Sequence, residues 1–344
     1  MSLVPSVYIP NVFKRACFLF VLSFSYALPA AAIEKFTPAI IYESSTSDSD
    51  KGFIESMKRG AQKAKNELGI DYIEYRIGED EDHADAIEKV AESGATNIIA
   101  VGFQNVLPVM KLANKHADIK FTVIDGMVPP VFQNVQSVIF KDQEGAFLVG
   151  IIAGSLATSN KIGFIGGMDV PLINNFALGF FQGARYANKK VELFRDYVGK
   201  DQNDQTAWSN PERAKMLAKK QFNSGASIVF AAAGGSSVGV LEAAEEMGKY
   251  AIGVDINQNG LFPGTVVTSM VKSVDKVVYD TLVDAFSGRW EPGIKYLGIK
   301  ENALDYAVDR NNKDLVTRNI IDKVEDAKDR IVRGLIKVET EQAY

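Results

Sequence analysis

From residue 38 onward the chain alternates between short apolar runs of strand length and longer amphipathic runs of helix length, and it does so twice. The first series reads strand at 38–42, helix at 51–68, strand at 71–75, helix at 83–93, strand at 97–101, helix at 106–116 and strand at 121–125. In the first of these helices Phe53, Met57, Ala61, Ala64 and Leu68 share one face. Strands separated by helices must run parallel, with helices covering both faces of the sheet. A second series follows. Its strands fall at 138–140, 161–165, 192–197, 227–231 and 250–254, and its helices at 144–157, 175–187, 211–223 and 237–247. Pro211 suits the first turn of its helix.

A chain of 344 residues has room for two such lobes. After Gly264 come a strand at 266–270, a helix at 274–286, a turn-rich break at 288–293, a short strand at 294–299 and a helix at 315–336. These additions suit a chain that re-crosses between lobes. The expected architecture is α/β: two doubly wound parallel-sheet lobes joined by hinge strands near Phe140 and Met270. The N-terminal lobe is expected at 33–139 plus 270–292, and the C-terminal lobe at 140–269 plus 293–344.

Residues 1–32 differ in kind. Lys14 and Arg15 precede an apolar stretch too short to span a bilayer, and Ala30 and Ala32 mark a small-residue cleavage site. This pattern predicts a secretory signal peptide cut just after Ala32. Loss of Lys14 and Arg15 would take the formal charge from −5 to −7. The sole cysteine, Cys17, would leave with the signal, and thiol chemistry with it. No Lys/Arg-rich face supports nucleic-acid binding. His83 and His116 lie far apart in charged helical stretches, where surface positions suit them better than a metal site.

Ligands of open parallel sheets bind beyond the carboxyl ends of the strands. The first strand is followed by the polar 43–53 loop, leading into a helix N-terminus able to offer backbone N–H groups. Others end on Asp125-Gly126, Gly166-Gly167, Gly234-Gly235-Ser236 and Asp255-Ile256-Asn257-Gln258. Glycine pairs there allow close approach of a ligand to the backbone, and serve equally as plain turn chemistry. Gly235-Ser236-Ser237-Val238-Gly239 fits a nucleophile elbow, but both histidines precede Ser237, the wrong chain order for a hydrolase of that type. There is no phosphate-binding Gly-x4-Gly-Lys-Ser/Thr loop and no Gly-x-Gly-x-x-Gly after a strand. No complete catalytic constellation and no cofactor-binding motif is therefore read in the sequence.

Several segments together are similar to the basic membrane protein family of ABC-transporter substrate-binding proteins, which includes purine nucleoside receptors of the periplasmic-binding type I fold. They are Asp50-Lys51-Gly52-Phe53, Phe121-Thr122-Val123-Ile124-Asp125, Asn134-Val135-Gln136-Ser137, residues 144–150 and 161–167, and above all residues 231–239, 251–255 and 268–272. The resemblance implies a periplasmic receptor, a small-molecule ligand, an ABC permease in the inner membrane as partner, and a monomer. It implies stacking of a nucleobase between Phe53 and Trp208, and contact of Asp255 and Lys272 with the ribose. Asp125, Asp48 and Gly234 are weaker candidates for polar or close backbone contact. Phe53 equally suits the first core position of its helix, with Met57 one turn on, and Asp255 with Lys272 equally suits an interlobe salt bridge. The chain departs from the family at Ile54, where the family has a ligand-contacting asparagine, so the identity of the base stays open. The alternative is a periplasmic sensor of a sugar or another small signalling molecule.

Overall fold

The computed structural model describes residues 36–43, 48–78, 80–201 and 204–341. The expected signal peptide, with Cys17 and the cleavage site after Ala32, lies outside them. The first series of elements runs β1 (Pro38–Glu43), α1 (Asp48–Leu68), β2 (Ile73–Ile77), α2 (His83–Glu92), β3 (Asn97–Val101), α3 (Val106–Ala113), β4 (Lys120–Ile124) and β5 (Val135–Phe140). The second runs α4 (Asp142–Leu156), β6 (Lys161–Gly166), α5 (Pro171–Ala187), β7 (Glu192–Tyr197), α6 (Pro211–Asn223), β8 (Ile228–Ala232), α7 (Ser237–Glu246), β9 (Tyr250–Asp255) and β10 (Val266–Lys272). The chain then adds α8 (Val274–Phe286), β11 (Gly293–Leu297), β12 (Leu304–Tyr306) and α9 (Arg318–Val332).

Two six-stranded sheets result, ordered β11-β5-β4-β3-β1-β2 and β12-β10-β9-β8-β6-β7. Every pairing is parallel except β12 on β10. β3, β5 and β8 are buried along their whole length; β8 and most of β3 accordingly read as apolar runs, while β5 also buries Gln136 and Ser137. β2 lies at a sheet edge and alternates polar with apolar residues. The doubly wound, two-sheet architecture is the one expected.

The chain passes between sheets at Lys141, at Ser273, and again between β11 and β12. β11 pairs with β5 in the first sheet, so residues 293–297 belong to that sheet even though the expected lobe boundary fell at 293. α8 returns to pack on α1, and α9 packs on α4.

Local chemistry sets the helix starts. The Asp82 carboxylate accepts from the N–H groups of Ala84 (2.8 Å) and Asp85 (3.1 Å), capping α2. Asn210 caps α6 through the Arg213 N–H, ahead of Pro211. α5 begins at Pro171, four residues before the expected start, because proline is pre-set for a first helical turn. Small residues bring α4 and α5 into backbone contact. A Cβ on Gly150 would stand 2.2 Å from the Phe180 carbonyl oxygen, and one on Gly183 2.0 Å from that of Phe147. That tight pair anchors α4, whose first residue, Asp142, lies beside Lys272.

Candidate functional site

The carboxyl ends of strands from both sheets bring their loops together. Trp208 closes a 3-10 turn, Gln205–Trp208, just before α6. Its ring lies against Gly167, which follows β6; a Cβ there would fall 2.2 Å from Trp208 Cζ3, so any larger residue would displace the indole. From the first lobe, Phe103 opens the 3-10 turn Phe103–Asn105 after β3 and meets Trp208 edge-on, with centroids 6.1 Å apart and planes at 64°. Trp208 Nε1 is buried and has no hydrogen-bond partner among the described residues.

Both rings are held from behind. Buried Asn105 donates to the Val101 carbonyl (2.8 Å), and its amide oxygen lies 2.9 Å from His83 Nδ1. His83 Nε2 in turn lies 3.3 Å from Glu43, at the end of β1. The Glu43 carboxylate raises the His83 pKa above its ordinary value against the opposing effect of burial. Both histidines are partly buried and paired with acids, His116 with Glu88 at 3.1 Å, rather than lying free on the surface. On the second lobe, Ser236 Oγ donates to the Ala207 carbonyl (2.8 Å) and accepts from the Asn210 N–H (2.7 Å), clamping the segment on either side of Trp208. Gly234 opens that Ser236 turn with φ of +52°, a conformation suited to glycine. Ser237 is fully buried and accepts from the Ala233 N–H, so its hydroxyl serves the turn and not a nucleophile's task.

A charged cluster forms where the chain changes sheets. Lys272 ends β10, one residue before a crossing, and is only 4 % exposed. Its Nζ donates to Asp125 Oδ2 at 2.6 Å and lies 3.3 Å from Asp142 Oδ1. It also sits over the Phe140 ring, 4.5 Å from the centroid. Burial opposes the charge on Lys272, but the carboxylates of Asp125, Asp142 and Asp255 outweigh it, and the ammonium titrates well above the usual lysine range. Burial pushes the Asp142 carboxyl up; Lys272 pulls it down, while Asp125 and Asp255 add to the rise, and the net shift is upward. Asp125 and Asp255 occupy matching places, at the ends of β4 and β9, and both adopt left-handed backbone, with φ of +58° and +66°. Aspartate tolerates that region better than most residues, and such strain gathers at functional sites. Beneath Asp255 a buried network fixes the turn: Gln258 Oε1 accepts from the Val254 N–H, and Ser269 Oγ accepts from the Gln258 N–H.

The two lobes also touch near the start of α1, where a Cβ on Gly52 would stand 2.1 Å from Ile256 Cδ1, and α1 packs against the Gly234–Ser236 turn. Phe53 and Ile54 are half-buried and pack against the main core. Asp48 opens α1.

A family profile described as ABC transporter substrate-binding protein PnrA-like matches residues 39–342. The chain belongs to that family. Among its relatives, Basic membrane protein D of Borreliella burgdorferi (strain JD1) is 30 % identical over 295 residues, covering 84 % of each chain. Basic membrane protein A of Borreliella afzelii is 33 % identical over 233 residues, covering 66 % of this chain and 69 % of the relative. A solute-binding protein of an ABC transporter system from Aeropyrum pernix K1 superposes with a TM-score of 0.77 at 25 % identity, covering 90 % of this chain and 95 % of that one. The arabinose-binding protein AraP of Geobacillus stearothermophilus shares the fold, with a TM-score of 0.60 at 14 % identity over 84 % of this chain and 99 % of that one. The protein is thus a substrate-binding component of the ABC-transporter class with the type I periplasmic-binding fold, and not an enzyme. Among the described residues no helix is long and apolar enough to cross a membrane.

Of the residues singled out in this substrate-binding protein's sequence, Asp125 and Lys272 form a direct pair, and Asp255 lies close enough to act on Lys272 electrostatically. The ring contact made by Trp208 in the structure is with Phe103. Phe103 and Asp142 escaped the sequence reading, although each stands just beyond a strand, β3 and β5, where the strand-end rule applies.

Proposed function

We propose that this protein is the periplasmic receptor of an ABC importer and that it closes on a nucleoside, a purine nucleoside first among candidates. In this reading the signal peptide at 1–32 directs export and is removed, and the monomeric receptor delivers its cargo to an inner-membrane permease. The observation that carries the ligand class is the pairing of two kinds of chemistry between one pair of lobes. A half-buried indole packed against Gly167 offers a flat apolar wall, and a largely buried acid–ammonium cluster offers acceptors and a donor for hydroxyl groups. A nucleoside has both a flat heterocycle and a vicinal diol. Trp208 and Phe53 are the proposed walls for the base, with Asp48 and Gly234 near it. Asp255, Lys272 and Asp125 are the proposed partners of the ribose. Closure about the crossings near Phe140 and Met270 would bring these groups onto the ligand.

The charged cluster alone would also suit a free sugar, which keeps a sugar receptor or sensor as the second reading. Mass spectrometry of whatever small molecule co-purifies with the native protein separates them. Calorimetric titration with adenosine, guanosine, inosine, uridine, adenine and ribose then ranks the ligands. Tight binding of a nucleoside with weak binding of ribose supports the proposal. Ribose binding as tightly as any nucleoside overturns it in favour of the sugar reading.

A further inference from the structure

Asp142 is the first residue of α4, immediately past the Lys141 crossing, and is 1 % exposed. Neither of its carboxyl oxygens takes part in a hydrogen bond among the described residues, and neither does Asp125 Oδ1. The charged groups facing it come from three elements: Lys272 from β10, Asp125 from the turn after β4, and Asp255 from the end of β9. Its neighbours on α4 are engaged elsewhere, since Glu144 accepts from the Ile299 N–H and pairs with Lys141. Arg185 of α5 lies over Phe181, and Lys328 of α9 pairs with Asp305.

One ammonium therefore faces three carboxyl groups, and both the ammonium and Asp142 are almost wholly out of water, while Asp125 and Asp255 keep partial exposure. The ammonium's hydrogen bond goes to Asp125, at 2.6 Å, while Asp142 is held only at 3.3 Å. Three like charges around one cation leave an excess that burial makes costly, and the least well-paired acid is the one to neutralise. We propose that Asp142 is a further residue of the ligand site, held there as a neutral, protonated acid, and that its ionisation makes the folded, closed cleft pH-sensitive. The upward displacement of its titration, caused first by burial, agrees with this.

The consequences have a definite sign. A carboxyl whose titration is raised by folding lends stability that is full below the ordinary carboxylate range and is lost as pH rises through the raised value. A ligand that brings hydroxyl donors to the cluster stabilises the ionised form, so it must displace the proton. Its affinity then rises with pH, by at most about tenfold per pH unit for one proton.

The test begins without any ligand. Infrared spectra of the wild-type protein at neutral pH should show the C=O stretch of a protonated carboxyl, absent from Asp142→Asn. Melting temperature should fall from acid to alkaline pH more steeply in the wild type than in Asp142→Asn. A wild-type spectrum with no protonated carboxyl at neutral pH, or one unchanged by the substitution, overturns the proposal. Should Asp142→Asn not fold, pH titration of the carboxyl carbon signals of wild-type protein labelled at aspartate decides it. Every aspartate titrating in the ordinary range sinks the idea. With guanosine as probe, affinity should climb with pH in the wild type and stay flat in the variant, and guanosine binding with no pH dependence overturns the link to ligand. If no nucleoside binds, the nucleoside reading fails, and the infrared and melting results still decide the proton.

Discussion

The aromatic contact and the charged cluster tie the same two lobes together by opposite physics. Phe103 against Trp208 joins apolar surfaces, and apart from the indole N–H it buries no polar group that needs a partner. Asp125 with Lys272 and Asp142 joins charges taken out of water, where each member depends on the others. Loss of one aromatic partner should thus be graded and local, whereas loss of one charge should be abrupt. Under the proposed function the aromatic wall would accept many flat molecules, and the cluster only ligands that can answer its hydrogen-bonding needs.

The sharpest way to break this contrast is to delete the cation. Lys272→Met leaves buried acids facing one another. At neutral pH it should destabilise the protein by about 3–5 kcal/mol, read from urea unfolding. A loss below about 1 kcal/mol would mean that protonation relieves the cluster so easily that the two contacts differ little in energy.

Two substitutions should split ligand recognition into its halves. Asp255→Ala should weaken nucleosides by about 1–3 kcal/mol through unpaired sugar hydroxyls, while leaving the free base unchanged. Trp208→Ala should weaken nucleoside and free base alike, by about 1–3 kcal/mol. If calorimetry shows both variants losing nucleoside and base equally, the division between wall and cluster is false.

Phe103→Leu keeps apolar volume but removes the edge-on ring. It should cost every heterocyclic ligand about 0.5–1.5 kcal/mol, with no change in the ranking of bases. An altered ranking would show that Phe103 touches the ligand itself.

The smallest effect is expected behind the aromatic contact. His83→Gln should remove a partly screened ion pair with Glu43, for about 0.2–1 kcal/mol. Because pairing raises the His83 pKa, its stabilisation is present at mildly acid pH and disappears as pH rises through the raised value. Melting curves of the wild type and variant should therefore converge in alkaline solution. A gap that persists there would assign His83 to packing.

Much of the fold was legible because buried parallel strands write themselves as short apolar runs, as in β3 and β8. The short β12 was not, since three residues, Leu304–Tyr306, leave no period to count. β11 was placed as a strand but on the wrong side of the expected boundary at 293, because its pairing with β5 joins residues some 155 positions apart, as the Gln136 amide reaching the Glu291 carbonyl illustrates. In the site, the sequence reading set Lys272 with Asp255, whereas its ammonium donates to Asp125 in the structure. Asp125, Asp255 and Lys272 were themselves open to inference from strand ends plus resemblance. Asp142 was not, because a lone acid at a helix start reads as an ordinary favourable charge near the positive end of the helix dipole.

By itself, the sequence determined that this chain builds two parallel, helix-covered sheets and that polar and glycine-rich turns close their carboxyl ends, because periodicity and turn chemistry act over a few residues. Only the tertiary structure decided which of those turns face each other. Sheet order and the crossings bring Phe103 to Trp208, and set three carboxyl groups around Lys272 from elements far apart in the chain. Burial then does the rest. Charges that would be unremarkable on separate strand ends in water constrain one another once water is excluded, and no local pattern in the chain records that exclusion.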